Sequence, residues 1–181
     1  MSTIQLRGAN LGDAAAIAAV HVAAWRETYV GLLPAEMLAD LSVAARTGMW
    51  REILTAPAAA GATSVYVADV DGQIVGFGAC GAQRDKGLAQ LGFGAEIGAI
   101  YLLRSHQRLG LGRALMTQMA QALRTRDFQG VALWVLRENT TARGFYEHLG
   151  GTLAGEKTDA RQNTTFNELA FGWRDLTLLC H

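Results

Sequence analysis

Two spacings of apolar residues alternate along this chain, and each change of spacing marks a change of element. Ile4 and Leu6 alternate with polar neighbours, as in a half-buried strand. The period then lengthens. Ile17, Val20, Ala24 and Thr28 recur at helical spacing in an alanine-rich stretch reaching about residue 29, with Asp13 placed as its cap. Gly31-Leu32-Leu33-Pro34 breaks this helix. A second helix is expected over 43–54, capped by Ser42, with Pro57 and Gly61 beyond its end.

The period shortens again over 64–70 and 73–79, two strands joined by Asp71-Gly72, a hairpin-turn signal. A polar connection, Arg84-Asp85-Lys86-Gly87, leads to an apolar run over 95–103 that extends the meander by one antiparallel strand. Past a loop with two glycines, Leu111, Leu115, Met119, Ala122 and Leu123 mark an amphipathic helix. Residues 131–136 are almost continuously apolar, as in a strand covered on both faces. Asn139 can cap a further helix reaching Leu149 and closed by Gly150-Gly151. Two last strands fall near 152–158 and 166–173, with Arg161-Gln162-Asn163 in the turn. The order is a meander, a β–α–β–α unit and a terminal hairpin, an α+β sheet with helices on its faces. With no repeat and no boundary signal, residues 1–181 are read as one domain.

Composition narrows the function. Sixteen basic residues balance sixteen acidic ones, which gives no nucleic-acid footprint. Half the residues are hydrophobic, but no apolar run approaches the roughly 20 residues of a membrane span. Met1-Ser2-Thr3-Ile4-Gln5-Leu6-Arg7 begins a strand and lacks a signal-peptide layout. Cys80 and Cys180 lie far apart and read as free thiols in a reducing compartment. A cytoplasmic protein is expected. His21, His106 and His148 form no metal spacing with Cys, Asp or Glu, so no metal is expected.

The chemistry gathers at Gln107-Arg108-Leu109-Gly110-Leu111-Gly112-Arg113-Ala114, where a strand enters and a helix leaves. Glycines without Cβ let backbone N–H groups approach an anion, and the helix N-terminus adds its dipole. The alternative is an ordinary strand-to-helix turn. A third glycine at dinucleotide spacing and a Gly-Lys-Ser/Thr triplet are both missing, which excludes Rossmann and Walker loops.

Gln107-x-x-Gly110-x-Gly112 resembles the pyrophosphate loop of the GNAT family of N-acetyltransferases. Asn139-Thr140-Thr141-Ala142-Arg143-Gly144-Phe145-Tyr146-Glu147-His148-Leu149-Gly150 resembles a second motif of the same family, an Asn-x-x-Ala followed by Phe-Tyr and a closing Leu-Gly. The order of elements agrees over nearly the whole chain, most clearly over 95–151. The resemblance implies a mixed, mostly antiparallel sheet of about seven strands with about four helices, splayed between the fourth and fifth strands. It implies acetyl-CoA as cosubstrate, its pantetheine arm along the backbone of Ile100, Tyr101 and Leu102 and bonded by Asn139. Its pyrophosphate would lie on the N–H groups of Gln107, Arg108, Leu109, Gly110, Leu111, Gly112, Arg113 and Ala114. The partner implied is an amine-bearing acceptor, and a homodimer is common in such families.

Tyr146 holds the place of the tyrosine that protonates the departing thiolate, a task suited to a phenol within hydrogen-bond reach. Its alternative is packing of the helix on the sheet. Glu96, eleven residues before Gln107, matches the spacing of the general base in the histone-acetylating branch. The alternative is a carboxylate that holds a neighbouring element. Trp25, Arg26, Glu27 and Tyr29 resemble a signature bordering the acceptor site in many bacterial members. There Trp25 and Tyr29 would wall a pocket, Glu27 attract an ammonium and Arg26 read a carboxylate. Core packing and a solvated face are the other readings of these four.

Three positions depart from the pattern: Arg104 for a common proline, Leu109 for a common basic residue, and Gly151 for an aromatic. The implied activity is transfer of an acetyl group to an amine by direct attack, with no covalent enzyme intermediate. The alternatives are a silent acyl-CoA-binding module and a transferase using another acyl-CoA.

Overall fold

The computed structural model of the protein describes residues 3–56, 59, 61–161 and 164–180. Pro57, Gln162 and Asn163, assigned above to a loop and a turn, lie outside them. One sheet contains β1 (Ile4–Gly8), β2 (Ser64–Val70), β3 (Gln73–Ala82), β4 (Ala95–Leu102), β5 (Val131–Leu136), β6 (Thr152–Arg161) and β7 (Thr164–Trp173). Its order is β1-β2-β3-β4-β5-β7-β6, and only the β4–β5 pair is parallel. Asp71 and Gly72 both take positive φ, 53° and 83°, as the tight turn between β2 and β3 requires. The final strands run further than expected, so Arg161 closes β6 instead of sitting in a turn.

The helices are α1 (Ala14–Tyr29), α2 (Ala35–Ala39), α3 (Val43–Thr55), α4 (Lys86–Gln90), α5 (Leu111–Arg124) and α6 (Thr140–His148). Ser42 caps α3 through Ala45 N at 3.2 Å, as expected. Asp13 does not cap α1. It closes a capping box with Asn10 around a one-turn helix at Leu11–Asp13 and accepts from both Arg7 guanidinium nitrogens. Of the two five-residue helices, α2 falls between the break at 31–34 and the Ser42 cap, and α4 starts within the polar connection. Five residues are too few to show a period. Asp85 starts α4 by accepting from Leu88 N.

Helices α1 and α3 cover one face, where Ile17, Ala18 and Trp50 meet Val65, Val67, Phe77 and Ala79. On the other face Met116, Met119, Leu123 and Tyr146 meet Ile97, Val131, Leu133, Phe171 and Trp173. No helix among the described residues is long and apolar enough to cross a membrane.

Two irregularities of β4 shape everything that follows. Its register with β3 passes from Ala79↔Ala99 to Cys80↔Ile97, leaving Gly98 as the extra residue of a bulge. A one-residue slip exchanges the faces of a strand. Ala99 and Tyr101 therefore pack toward α1 and α3, whereas Ile97, Ile100 and Leu102 pack toward α5 and α6. By alternation Glu96 shares the face of Tyr101, from which an unbroken strand would have turned it away. The second irregularity is the splay: β4 and β5 pair only at Ala95↔Val131 and Glu96↔Ala132. Beyond Glu96 the two strands diverge.

Candidate active site

A continuous cleft of about 1640 Å³ runs through this splay, bordered by Ile100 and Leu102 on one strand and Val135 and Leu136 on the other. That is larger than the usual 300–1,000 Å³ of a small-molecule pocket. From Ile97 onward β4 bonds only to β3, so its backbone polar groups on the other side face the cleft. An extended polar chain laid there would find the partners of a missing strand.

The glycine loop closes one end. Arg108 and Gly110 both adopt positive φ, 60° and 81°, which curls the backbone around a concavity. Gln107 N donates to Arg104 O and Ala114 N to Gly110 O. Between them, the N–H groups of residues 108–113 have no backbone acceptor among the described residues. Those donors, the N-terminus of α5 and the side chains of Arg104, Arg108 and Arg113 define an anion cradle. Gln107 ties the cradle to the strand through Nε2 and Leu102 O at 3.2 Å. Leu109 points to solvent at 61% exposure, Leu111 packs in the core, and Ala114 does not line the cleft. A Cβ on Gly112 would stand 3.2 Å from Phe145 Cζ.

Helix α6 contributes two polar groups. Asn139 is buried, and its Oδ1 accepts from Ala142 N at 3.1 Å. Capping thus fixes the amide and leaves its NH₂ as a donor on the cleft wall. The Tyr146 ring wedges among Phe145, Phe171 and Trp173, with centroids 5.4–6.2 Å away. Its hydroxyl makes no hydrogen bond among the described residues. Burial and the neighbouring Tyr101 push this phenol far above its ordinary pKa, so it stays protonated and acts as a donor. Gly151 supports it from behind, where a Cβ would come within 2.7 Å of Trp173 and 2.9 Å of Tyr146 O.

The other end is aromatic. Trp25, Tyr29 and Tyr101 line it, and the two tyrosine hydroxyls lie 3.1 Å apart. Tyr101 stacks on buried His21, centroids 5.4 Å apart at 21°. Desolvation and, to a smaller extent, Arg46 lower His21 to a pKa of about 4, so it is neutral while its Nδ1 accepts from Trp50 Nε1. Glu27 lines the cleft, with Oε2 accepting from Arg104 N at 2.7 Å. That bond uses the N–H that proline would lack at this position. Arg26 is absent from the wall; it donates to Leu38 O and Leu41 O and fastens α2. The reading of Arg26 as a carboxylate contact is corrected on that ground. Glu96 faces the cleft, its two oxygens held by Arg84 Nε and, at 3.3 Å, Arg84 N.

Among the wall residues that had escaped the sequence reading are Arg46, Arg84, the pair Lys157 and Glu168, and the side chain of Tyr101. Glu168 left one trace, a carboxylate just before the apolar end of its strand, Leu169-Ala170-Phe171. The arginines left none, since only the folded chain brings Arg84 to Glu96. Among the described residues no group of three His, Cys, Asp or Glu side chains is placed to hold a metal ion.

Comparison with known proteins agrees with this geometry. A sequence profile of the Acetyltransferase (GNAT) family matches residues 17–151. The chain is similar to YuaI of Bacillus subtilis, named an uncharacterized N-acetyltransferase, with 32% identity over 97% of this chain and 96% of that one. The fold is similar to that of PaiA N-acetyltransferase from Thermoplasma acidophilum, solved in complex with coenzyme A. There the TM-score is 0.66 at 17% identity, over 92% of this chain and 98% of that one. It is also similar to yncA, a putative acetyltransferase from Salmonella typhimurium solved with acetyl-CoA. That match has a TM-score of 0.68 at 17% identity, over 95% and 94% of the two chains. With its splayed sheet, glycine loop and Asn-capped helix, the chain belongs to the GNAT family of acetyltransferases.

Proposed function

We propose that this protein is an acetyl-CoA-dependent N-acetyltransferase, acting as one domain on a primary amine in the cytoplasm. The observation that carries the reading is one cleft with unsatisfied backbone donors at residues 108–113, an open strand edge along Ile100 and Leu102, and a protonated Tyr146. The loop N–H groups and Arg108 suit a pyrophosphate, the free edge of β4 suits an amide-bearing arm, and the Asn139 NH₂ adds a donor beside that arm. The cosubstrate would supply a thioester carbonyl.

The chain's own groups then divide the work. The acceptor amine arrives from the aromatic end and attacks the carbonyl while both substrates are bound. Tyr146 gives its phenolic proton to the departing sulfur. Glu96, turned to the acceptor face by the Gly98 bulge, takes the amine's proton, directly or through water, once Arg84 swings out. Arg84 is free to do so, its side chain being 80% exposed. Cys80, buried in the core, is no nucleophile, and burial raises its thiol to a pKa of about 12.

The test is thiol release from acetyl-CoA with a panel of primary amines, alongside calorimetry with coenzyme A. Turnover with at least one amine is expected, falling about 10²-fold or more in Tyr146→Phe while coenzyme A affinity holds. Absence of binding at near-millimolar coenzyme A would refute the reading. Binding without turnover on any amine would favour a silent module.

A further inference from the structure

Among the described residues three carboxylates line the cleft, and two are already engaged. Glu27 accepts from Arg104 N, and Glu96 is held through both oxygens by Arg84. Glu168 accepts no hydrogen bond among the described residues. Its Oε2 is sealed from solvent without a donor, and Lys157 Nζ approaches only to 3.5 Å. Lys157 in turn sits over the Trp134 ring, 4.1 Å from its centroid. Polar atoms sealed inside folded proteins are normally hydrogen-bonded, so an oxygen held only by an ammonium 3.5 Å away leaves room for a closer donor on the cleft wall.

The register says where that donor would stand. Glu168 lies opposite Leu136, and Trp134 opposite Ala170, so Glu168 and Trp134 share the face away from Leu169 and Phe171. This is the acceptor side. Its charge acts on the hydroxyls of Tyr29 and Tyr101, and Tyr101 in turn acts on Tyr146. Beyond these groups Leu33, Met37 and Leu41 continue the wall with apolar surface.

We propose that Glu168 anchors the positive charge of the acceptor, which is a primary ammonium on an apolar stem. An ammonium carries three N–H donors and no acceptor. Glu168 takes one, the oxygens of the Tyr29–Tyr101 pair are placed for others, and the stem lies along Leu33, Met37 and Leu41. Lys157 holds the carboxylate in the absence of the amine and yields it when the amine enters. Glu168 is thus a specificity-determining residue, and Glu96 keeps its separate part in proton removal. The inference rests on the acetyl-transfer reading but is tested by binding alone.

The experiment compares phenethylammonium with its uncharged counterpart 2-phenylethanol, each titrated into the protein saturated with coenzyme A and followed by calorimetry. The wild type should prefer the ammonium by at least about tenfold. Glu168→Gln should abolish that preference without changing coenzyme A affinity, Glu168→Asp should keep part of it, and Lys157→Met should strengthen ammonium binding. In turnover, Glu168→Gln should raise KM for the amine far more than it lowers kcat. Equal binding of amine and alcohol by the wild type, or an undiminished preference in Glu168→Gln, would overturn the proposal. Should Glu168→Gln fail to fold, the Asp and Met variants decide: no weakening in the first and no gain in the second would count against it. Amine binding without thiol release would instead strike the acetyl-transfer reading and leave the anchor standing.

Discussion

Consider acidifying the protein from about pH 7.5 to about pH 5, where few side chains other than histidine titrate. His21 lies in the core at 7% exposure, stacked on Tyr101 and bonded through Nδ1 to the Trp50 indole. In the unfolded chain its imidazole titrates near 6.5, whereas in the fold burial and Arg46 hold it at about 4. The folded pKa is depressed, so within this window the unfolded state takes up a proton that the folded state refuses. Stability is therefore intact above about pH 6.5 and falls as the pH drops toward 4. Over the stated interval the loss from this one residue comes to about 2 kcal/mol, with about 1 kcal/mol more below it. Asp13, whose carboxyl is lowered chiefly by its Arg7 hydrogen bond, has the same sign but acts below about 3.8, outside the window. Urea midpoints across the pH range, read by tryptophan fluorescence, measure the effect. His21→Gln keeps an acceptor for Trp50 but cannot be protonated, so its midpoint should stay nearly level over the window. Parallel decline of wild type and variant, or a His21 proton resonance titrating near 6.5, would refute the argument.

Other expectations concern the cleft. Gly110→Ala places a Cβ on a residue at φ 81°, which costs about 1–2 kcal/mol of stability and should weaken coenzyme A binding in calorimetry. Gly151→Ala drives a Cβ to 2.7 Å from the Trp173 ring and 2.9 Å from Tyr146 O. It should lower stability by about 1–3 kcal/mol in a urea melt and displace the proposed acid, so that turnover falls with little change in coenzyme A affinity. Glu96→Gln should lower kcat while KM for acetyl-CoA holds.

What the sequence disclosed follows from the range of the interactions involved. The Asp71-Gly72 turn, the Ser42 and Asn139 caps and the glycine loop are set by neighbours within a few residues, and all were legible. So was the order of strands and long helices, because apolar periods survive in one dimension. Asp13 was misassigned because two caps, its own and Asn10's, compete over three residues, and Arg7 decides between them. Arg26 was misread because its partners, the carbonyls of Leu38 and Leu41, lie in and just beyond a helix too short to show a period. The bulge at Gly98 was hidden for another reason: glycine permits a slip, but only pairing with β3 makes one. Glu168 could be seen as polar within β7, yet its lack of a hydrogen-bond donor depends on where Lys157, Trp134 and the tyrosines come to rest.

The narrow seam between β4 and β5 has a mechanical consequence. Two residue pairs join a four-stranded sheet to a three-stranded one, and each carries an unpaired margin along the break. Such margins are what chains use to associate with one another. If an acyl-carrier arm fills the break, it serves as substrate and also as a removable splint between the halves. Binding at a hundredfold excess over its dissociation constant would add about 2.7 kcal/mol to the folded state. Resistance to aggregation would then follow the supply of cosubstrate.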